Sequence, residues 1–171
     1  MFINNTDERL FNDFSNDLKS SAKALGLNPN VPIHVYTINQ YKLLENVPDI
    51  RFSKYDTFAY VARMQDLGKP NNDYYAIVYS PENIAALSFL DADFYAAIAH
   101  EVGHIINYRN PTIPNEGWYA EIMADELACN LGLRSQLGAA LLKLQQQDVL
   151  SESQRNEINL RIKYLNLSME H

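Results

Sequence analysis

The chain has 171 residues, of which 47% are hydrophobic and 20% are charged. This composition suits one soluble domain with an adequate core. The formal net charge of −7 argues against a nucleic-acid partner, because phosphate binding needs clustered Lys and Arg. We therefore predict a single domain over residues 1–171 that binds no nucleic acid.

Cysteine usage and apolar runs indicate the compartment. Cys129 is the single cysteine, so no disulfide can form within the chain, and a metal site would have to use His and carboxylates. The first residues lack the basic start and apolar stretch of a secretory signal, and no apolar run is long enough to span a membrane. We expect a cytoplasmic protein that does not bind membranes.

The first eighty residues mix helical and strand patterns. Apolar residues recur at helical spacing over 6–25, and a β-rich strand at 32–38 is followed by a short helix at 39–46. Two further β-rich runs, 56–65 and 73–80, flank a segment full of turn residues. That pair predicts a hairpin of an antiparallel sheet.

The chain after Ser80 is patterned as helix throughout. The expected helices are 81–90, a helix capped by Asp91 or Asp93 that ends near Tyr108, one from Glu116 or Gly117 to about Leu133, 135–147, and 151–165. The predicted fold class is α+β, with a small antiparallel sheet in the N-terminal half followed by a helical C-terminal half.

The helix near residue 100 carries an unusual set of polar residues in the stretch "FYAAIAHEVGHIINY". His100 and His104 are separated by four residues, so both project from one face and can reach one metal ion. Glu101 is offset around the helix, where it can accept a proton from a water at the metal without binding the metal itself. The pattern H-E-x-x-H therefore predicts a zinc site.

The alternative for this helix is two surface histidines on an amphipathic helix. The buried stripe would then consist of Ile98, Val102, Ile105 and Ile106.

A third ligand is available on the following helix. Glu121 and Asp125 share a helix face, so Glu121 could complete the metal site, while Asp125 could accept a hydrogen bond from the outer nitrogen of a histidine. The small residues Ala120, Ala124 and Ala128 would allow close helix packing. Two His and one Glu leave a coordination position open, as in catalytic zinc sites.

The two acids on this helix also have a simpler explanation. They could form a solvated acidic face together with Glu116 and Glu126, which are also the rival third ligands.

The combination of H-E-V-G-H and E-I-M-A-D resembles the gluzincin metallopeptidases, whose pattern is HExxH followed by ExxxD. The resemblance implies a zincin-like fold in which His100, His104 and Glu121 bind one zinc ion. It further implies that Glu101 is the general base and that Asp125 supports a metal ligand without binding the metal itself. The segment "ADELACNLGL" is also similar to the small intracellular ImmA/IrrE-type and Lit-type peptidases.

The leading hypothesis is a zinc-dependent metallopeptidase that hydrolyses peptide bonds with a zinc-activated water, with a peptide or protein as its substrate and partner. The alternative is a catalytically inactive, metal-stabilised binding or regulatory protein, for which a phage or mobile element is one candidate origin. The sequence leaves the substrate and the oligomeric state open.

Several other residues are weaker candidates for a part in the chemistry. The possible oxyanion donors are His34, Tyr108, Arg109 and Tyr119, among which the sequence does not choose. Trp118 is a candidate for the wall of a cleft. The tyrosine-rich strand at 73–80 could pair with an extended peptide if it lies at the edge of the sheet. Cys129 is interpreted as buried filler, not a nucleophile.

Overall fold

The computed structural model describes residues 16, 18, 20, 23, 24, 33–44, 59–64, 74–108, 110–114, 116–148 and 150–167. The chain divides into two compact units, Met1–Asn83 and Ile84–His171. The single domain over 1–171 stays a prediction. Of the helix expected over 6–25, the five described residues are helical, and its expected ends lie outside the described residues.

The described strands of the first unit form a three-stranded sheet in the order β1-β3-β2. The elements in chain order are β1 (Ile33–Thr37), α1 (Ile38–Leu44), β2 (Ala59–Met64) and β3 (Tyr74–Tyr79). As predicted, β2 and β3 pair antiparallel. The expectation of a wholly antiparallel sheet is wrong, because β1 pairs parallel to β3 and the sheet is therefore mixed. Parallel partners need a long connection, and α1 and β2 lie in the connection between these two strands.

The tyrosine-rich strand β3 is central in this sheet, since β1 and β2 pair with its two sides. Ala76, Ile77 and Val78 are fully buried, which explains why this segment is a continuous apolar run instead of an alternating one. The suggestion that this strand pairs with a peptide at a sheet edge is therefore wrong.

The second unit is helical in its described residues, and the helices follow the predicted order. They are α3 (Asp91–Tyr108), α4 (Trp118–Asn130), α5 (Arg134–Gln145) and α6 (Glu152–Leu167), preceded by α2 (Pro81–Ala86) at the boundary between the units. Helix α2 ends earlier than expected because Ser88 adopts a positive φ of 56°. The Ser88 and Phe89 N–H groups then donate to the carbonyls of Ala85 and Ile84 and close the helix.

Helix α3 is the centre of the second unit, and every residue from 96 to 103 is buried. Helix α4 approaches it so closely that Gly103 lies against the main chain of Ala124. Ala120, Ala124 and Ala128 are all buried, as their small size suggested. Helices α5 and α6 complete the unit with a core that includes Leu137, Leu141, Ile158 and Leu165.

Among the described helices, none is both long enough and apolar enough to cross a bilayer.

Candidate metal centre

Helices α3 and α4 bring together the three residues that the sequence predicts as metal ligands. His100 and His104 lie one turn apart on α3, and Glu121 faces them from the first turn of α4. One potential ligand atom from each residue lies within 4.8 Å of the others, so this group could hold a metal ion. The close contact at Gly103 makes this arrangement possible, because it lets the two helices pack almost main chain to main chain.

The donor groups of the three residues lie within direct contact of one another. The Nε2 atoms of His100 and His104 are 3.0 Å apart; His100 Nε2 lies 3.1 Å from Oε2 of Glu121, and His104 Nε2 lies 3.2 Å from Oε1 of the same carboxylate. The two imidazole nitrogens and the carboxylate therefore form a compact triangle of donor groups that could hold a metal ion. Two imidazoles and one carboxylate are a donor set that zinc accepts, so the residues present fit a zinc ion by their chemistry.

Asp125 sits behind His100, on the side away from this triangle. The Nδ1 of His100 lies 2.7 Å from Asp125 Oδ1, and the Asp125 side chain is fully buried. An ionised carboxylate can only accept hydrogen bonds, so His100 donates from Nδ1. Once the ring gives up its second proton, Nε2 is the nitrogen left with a lone pair for a metal ion.

Arg161 on α6 holds the Asp125 carboxylate from the other side. Its Nε donates to Oδ2 at 2.9 Å and its Nη2 donates to Oδ1 at 2.7 Å, which is a two-point interaction in a buried site. Nη1 of the same guanidinium lies 3.3 Å from an oxygen of Glu121. Arg161 therefore touches both acids of the E-x-x-x-D pattern.

Glu101 is nearly buried, with 7% of its surface exposed, and it follows His100 on α3. Burial raises the pKa of its carboxyl group, and the repulsion by Glu121 adds to the effect, while both histidines oppose it. A carboxylate with a raised pKa is a stronger base than an exposed one.

The electrostatics of the polypeptide alone are those of a tightly coupled charged cluster. Burial and Arg161 disfavour a charged His100, but Asp125 and Glu121 outweigh them and raise the pKa of His100 to about 9. Burial opposes ionisation of both acids, yet His100, His104 and Arg161 hold the pKa of Glu121 below its usual range, and Arg161 and His100 do the same for the pKa of Asp125. Because only a neutral ring binds metal, an ion has to displace the His100 proton at neutral pH.

The alternatives of surface histidines and a solvated acidic helix face do not fit the structure. His100 is 4% exposed and Asp125 is fully buried, so neither belongs to a solvated helix face. The rival ligands lie outside the group of three: Glu116 is exposed before α4, and Glu126 accepts a hydrogen bond from Tyr164 at 2.6 Å.

The candidates for an oxyanion donor are scattered. Tyr108 is half-exposed at the end of α3, where its ring stacks at 6.3 Å from that of His104. Tyr119 is also half-exposed. His34 lies on β1 in the first unit and stacks on Tyr36, and Arg109 lies outside the described residues.

Two other residues singled out from the sequence lie on α4. Trp118, the proposed cleft wall, is 54% exposed at the start of the helix, where it packs edge to face with Tyr119. Cys129 is half-buried, and burial raises the pKa of its thiol to about 11. It is therefore a thiol at neutral pH.

Sequence reasoning missed two residues that shape the site, Arg161 and Gly103. A signal for Arg161 was present, because it occupies the apolar stripe of α6 between Ile158 and Leu165, where a charge needs a buried partner. Gly103 is the single glycine of α3, and a glycine inside a helix often marks close packing.

Comparisons with protein-family models, curated proteins and solved structures found no match to this chain.

Proposed function

We propose that this protein is a zinc-dependent metallopeptidase with a zincin-like catalytic unit. One observation carries the proposal: the Nε2 atoms of His100 and His104 lie 3.0 Å apart, each is within 3.2 Å of one oxygen of the Glu121 carboxylate, and Asp125 contacts the other ring nitrogen of His100. Three protein ligands suit a catalytic ion, because structural zinc sites usually have four. The lack of basic clusters argues against a nucleic-acid substrate, and the single cysteine is consistent with the proposed cytoplasmic location.

The proposed roles follow from chemistry. A zinc ion held by His100, His104 and Glu121 would supply Lewis-acid chemistry, polarising a carbonyl and making water more acidic. A carboxylate oxygen of Glu101 accepts the proton that the attacking water loses, and the same carboxyl group returns it to the leaving amine. Asp125 keeps the proton of His100 on Nδ1 throughout, so the other nitrogen stays available.

The test separates metal binding from hydrolysis. Wild-type protein and the variants Glu101→Gln and Glu121→Ala are loaded with zinc and analysed for bound metal by mass spectrometry. They are then incubated with a mixture of peptides whose cleavage is followed by the same method. We expect the wild type to bind one zinc and cleave, Glu101→Gln to bind zinc without cleaving, and Glu121→Ala to bind zinc more weakly.

Glu126→Gln is the matched control, because Glu126 lies on the same helix as Glu121 but bonds to Tyr164. It should bind zinc and cleave like the wild type. Full turnover by Glu101→Gln would refute the role of the base. A wild type that binds zinc but cleaves nothing would favour the alternative of a metal-stabilised binding or regulatory protein.

A further inference from the structure

We propose that Arg161 is a positioning residue of the metal centre, so that helix α6 takes part in metal binding although it supplies no ligand. The inference rests on the metal-binding part of the proposed function and does not require hydrolysis. It adds a residue to the site that lies outside both sequence motifs.

The contacts of Arg161 reach the ligands by two routes. Through Asp125 the guanidinium fixes the carboxylate that orients His100, with distances of 2.9 Å and 2.7 Å on the Arg161 side and 2.7 Å on the His100 side. Directly, Nη1 lies 3.3 Å from Oε2 of Glu121, the oxygen that is nearest to His100. Two of the three donor groups are therefore oriented by one side chain.

Burying the charged Arg161 side chain costs free energy that packing of α6 alone does not require. It is 8% exposed and lies between Ile158 and Leu165 in the buried stripe of α6, where an apolar side chain would dock the helix at least as well. Other contacts already hold α6 in place. Arg155 donates to the carbonyls of Gln145 and Gln147 at 2.7 Å and 3.1 Å.

Removing the guanidinium changes the site in a definite way. Without Arg161, the buried Asp125 carboxylate loses the two donors that fix its orientation. The acceptor for His100 Nδ1 is then no longer held in one position, and Glu121 loses the only cation on α6 within ion-pair distance of it among the described residues. Loss of such supporting partners typically weakens metal binding by about 10–100-fold.

The test compares Arg161→Met and Arg161→Lys with the wild type. Zinc affinity is measured by competition with a chromophoric chelator, and the ligand arrangement is followed by the visible absorption of the cobalt(II)-loaded protein. Far-UV circular dichroism shows which variants fold. We expect about 10-fold weaker zinc binding or more for Arg161→Met, with an altered cobalt spectrum. Arg161→Lys keeps the positive charge but cannot make the two-point interaction with Asp125. We therefore expect this variant to fold and to bind zinc more weakly, even if Arg161→Met fails to fold.

Arg155→Met is the matched control. It removes an arginine of the same helix whose hydrogen bonds go to the backbone carbonyls of Gln145 and Gln147 instead of to the metal centre. It should keep wild-type zinc affinity and the wild-type cobalt spectrum. Wild-type affinity in the folded Arg161 variants, or an equal loss in Arg155→Met, would overturn the inference and leave the proposed function intact. A wild type that binds no zinc would overturn both.

Discussion

Gly103 and Ala124 touch through their main chains at the crossing of α3 and α4. A Cβ atom added to Gly103 would lie 2.8 Å from Ala124 Cα and closer still to the Ala124 carbonyl oxygen. Both neighbours are backbone atoms, so relief would require the helices to move apart. The size of one residue thus determines how near Glu121 can come to the two histidines.

Gly103→Ala should therefore destabilise the protein, although alanine is the better helix former. Overpacking of this kind typically costs about 1–3 kcal/mol, which exceeds the propensity gain of about 1 kcal/mol. Urea unfolding followed by circular dichroism measures the change, and zinc affinity should fall as well because the ligand triangle widens.

Gly138 provides the matched control on α5, since nothing lies within 4 Å of a Cβ added there. Gly138→Ala should stabilise the protein by about 0.5–1 kcal/mol. If Gly103→Ala were equally stabilising, the close crossing of the helices would be incorrect.

Asp125→Asn should also destabilise the protein. The variant keeps the shape of the side chain but leaves the buried Arg161 without its full counter-charge. Breaking one side of a buried ion pair costs about 3–5 kcal/mol. The double variant Asp125→Asn with Arg161→Met should lose less stability than the sum of the two single changes, because each alone strands a charge. Strict additivity in urea unfolding would contradict this coupling.

Cys129 should react slowly with alkylating reagents in the folded protein. Burial, reinforced by the negative charges of Asp125 and Glu126, raises the pKa of the thiol to about 11, although Arg134 opposes the shift. The iodoacetamide rate, followed by intact-protein mass spectrometry, should increase about tenfold per pH unit up to about pH 11.

The raised pKa of the Cys129 thiol also makes the stability of the protein depend on pH. The folded pKa exceeds the unfolded value of about 8.5, so the folded protein retains a proton that the unfolded chain has lost. Stability from this group is complete below about pH 8.5 and declines as the pH rises toward 11. In denaturant the alkylation should instead have a midpoint near pH 8.5, and an identical profile in both states would rule out the shift.

Ser88→Gly should stabilise the protein by up to about 1 kcal/mol. Ser88 adopts a positive φ of 56° at the end of α2, a conformation that is unfavourable for residues with a Cβ atom. Gly132 has a positive φ of 78° after the end of α4. There the N–H groups of Gly132 and Leu133 donate to the carbonyls of Cys129 and Ala128 and close the helix. Gly132→Ala should therefore lower the thermal midpoint while Ser88→Gly raises it. A shift of the same sign in both would contradict this reasoning.

The order of the helices and the ligand group were predictable because they depend on local spacing. His100 with His104, and Glu121 with Asp125, each lie four residues apart, so a helix places each pair on one face whatever its surroundings. The antiparallel pairing of β2 with β3 was also local, since only a turn-rich segment separates them.

The remaining features depend on contacts between distant segments. The parallel pairing of β1 with β3 joins strands separated by α1 and β2, and no local pattern distinguishes it from an antiparallel meander. Arg161 lies 36 residues from Asp125, and its partner could not be identified before the packing of α6 was known. The proximity of Gly103 to Ala124 likewise follows from the crossing of two helices.

The ion pair between Asp125 and Arg161 also bears on synthesis of the chain. On a translating ribosome Asp125 is made 36 residues before the guanidinium that neutralises it. Until α6 emerges, α3 and α4 cannot bury that carboxylate in its charged form at low cost. We therefore expect the nascent segment up to α4 to carry every proposed ligand while Glu121 and Asp125 stay hydrated, and the helical unit to close only after α6 has left the exit tunnel.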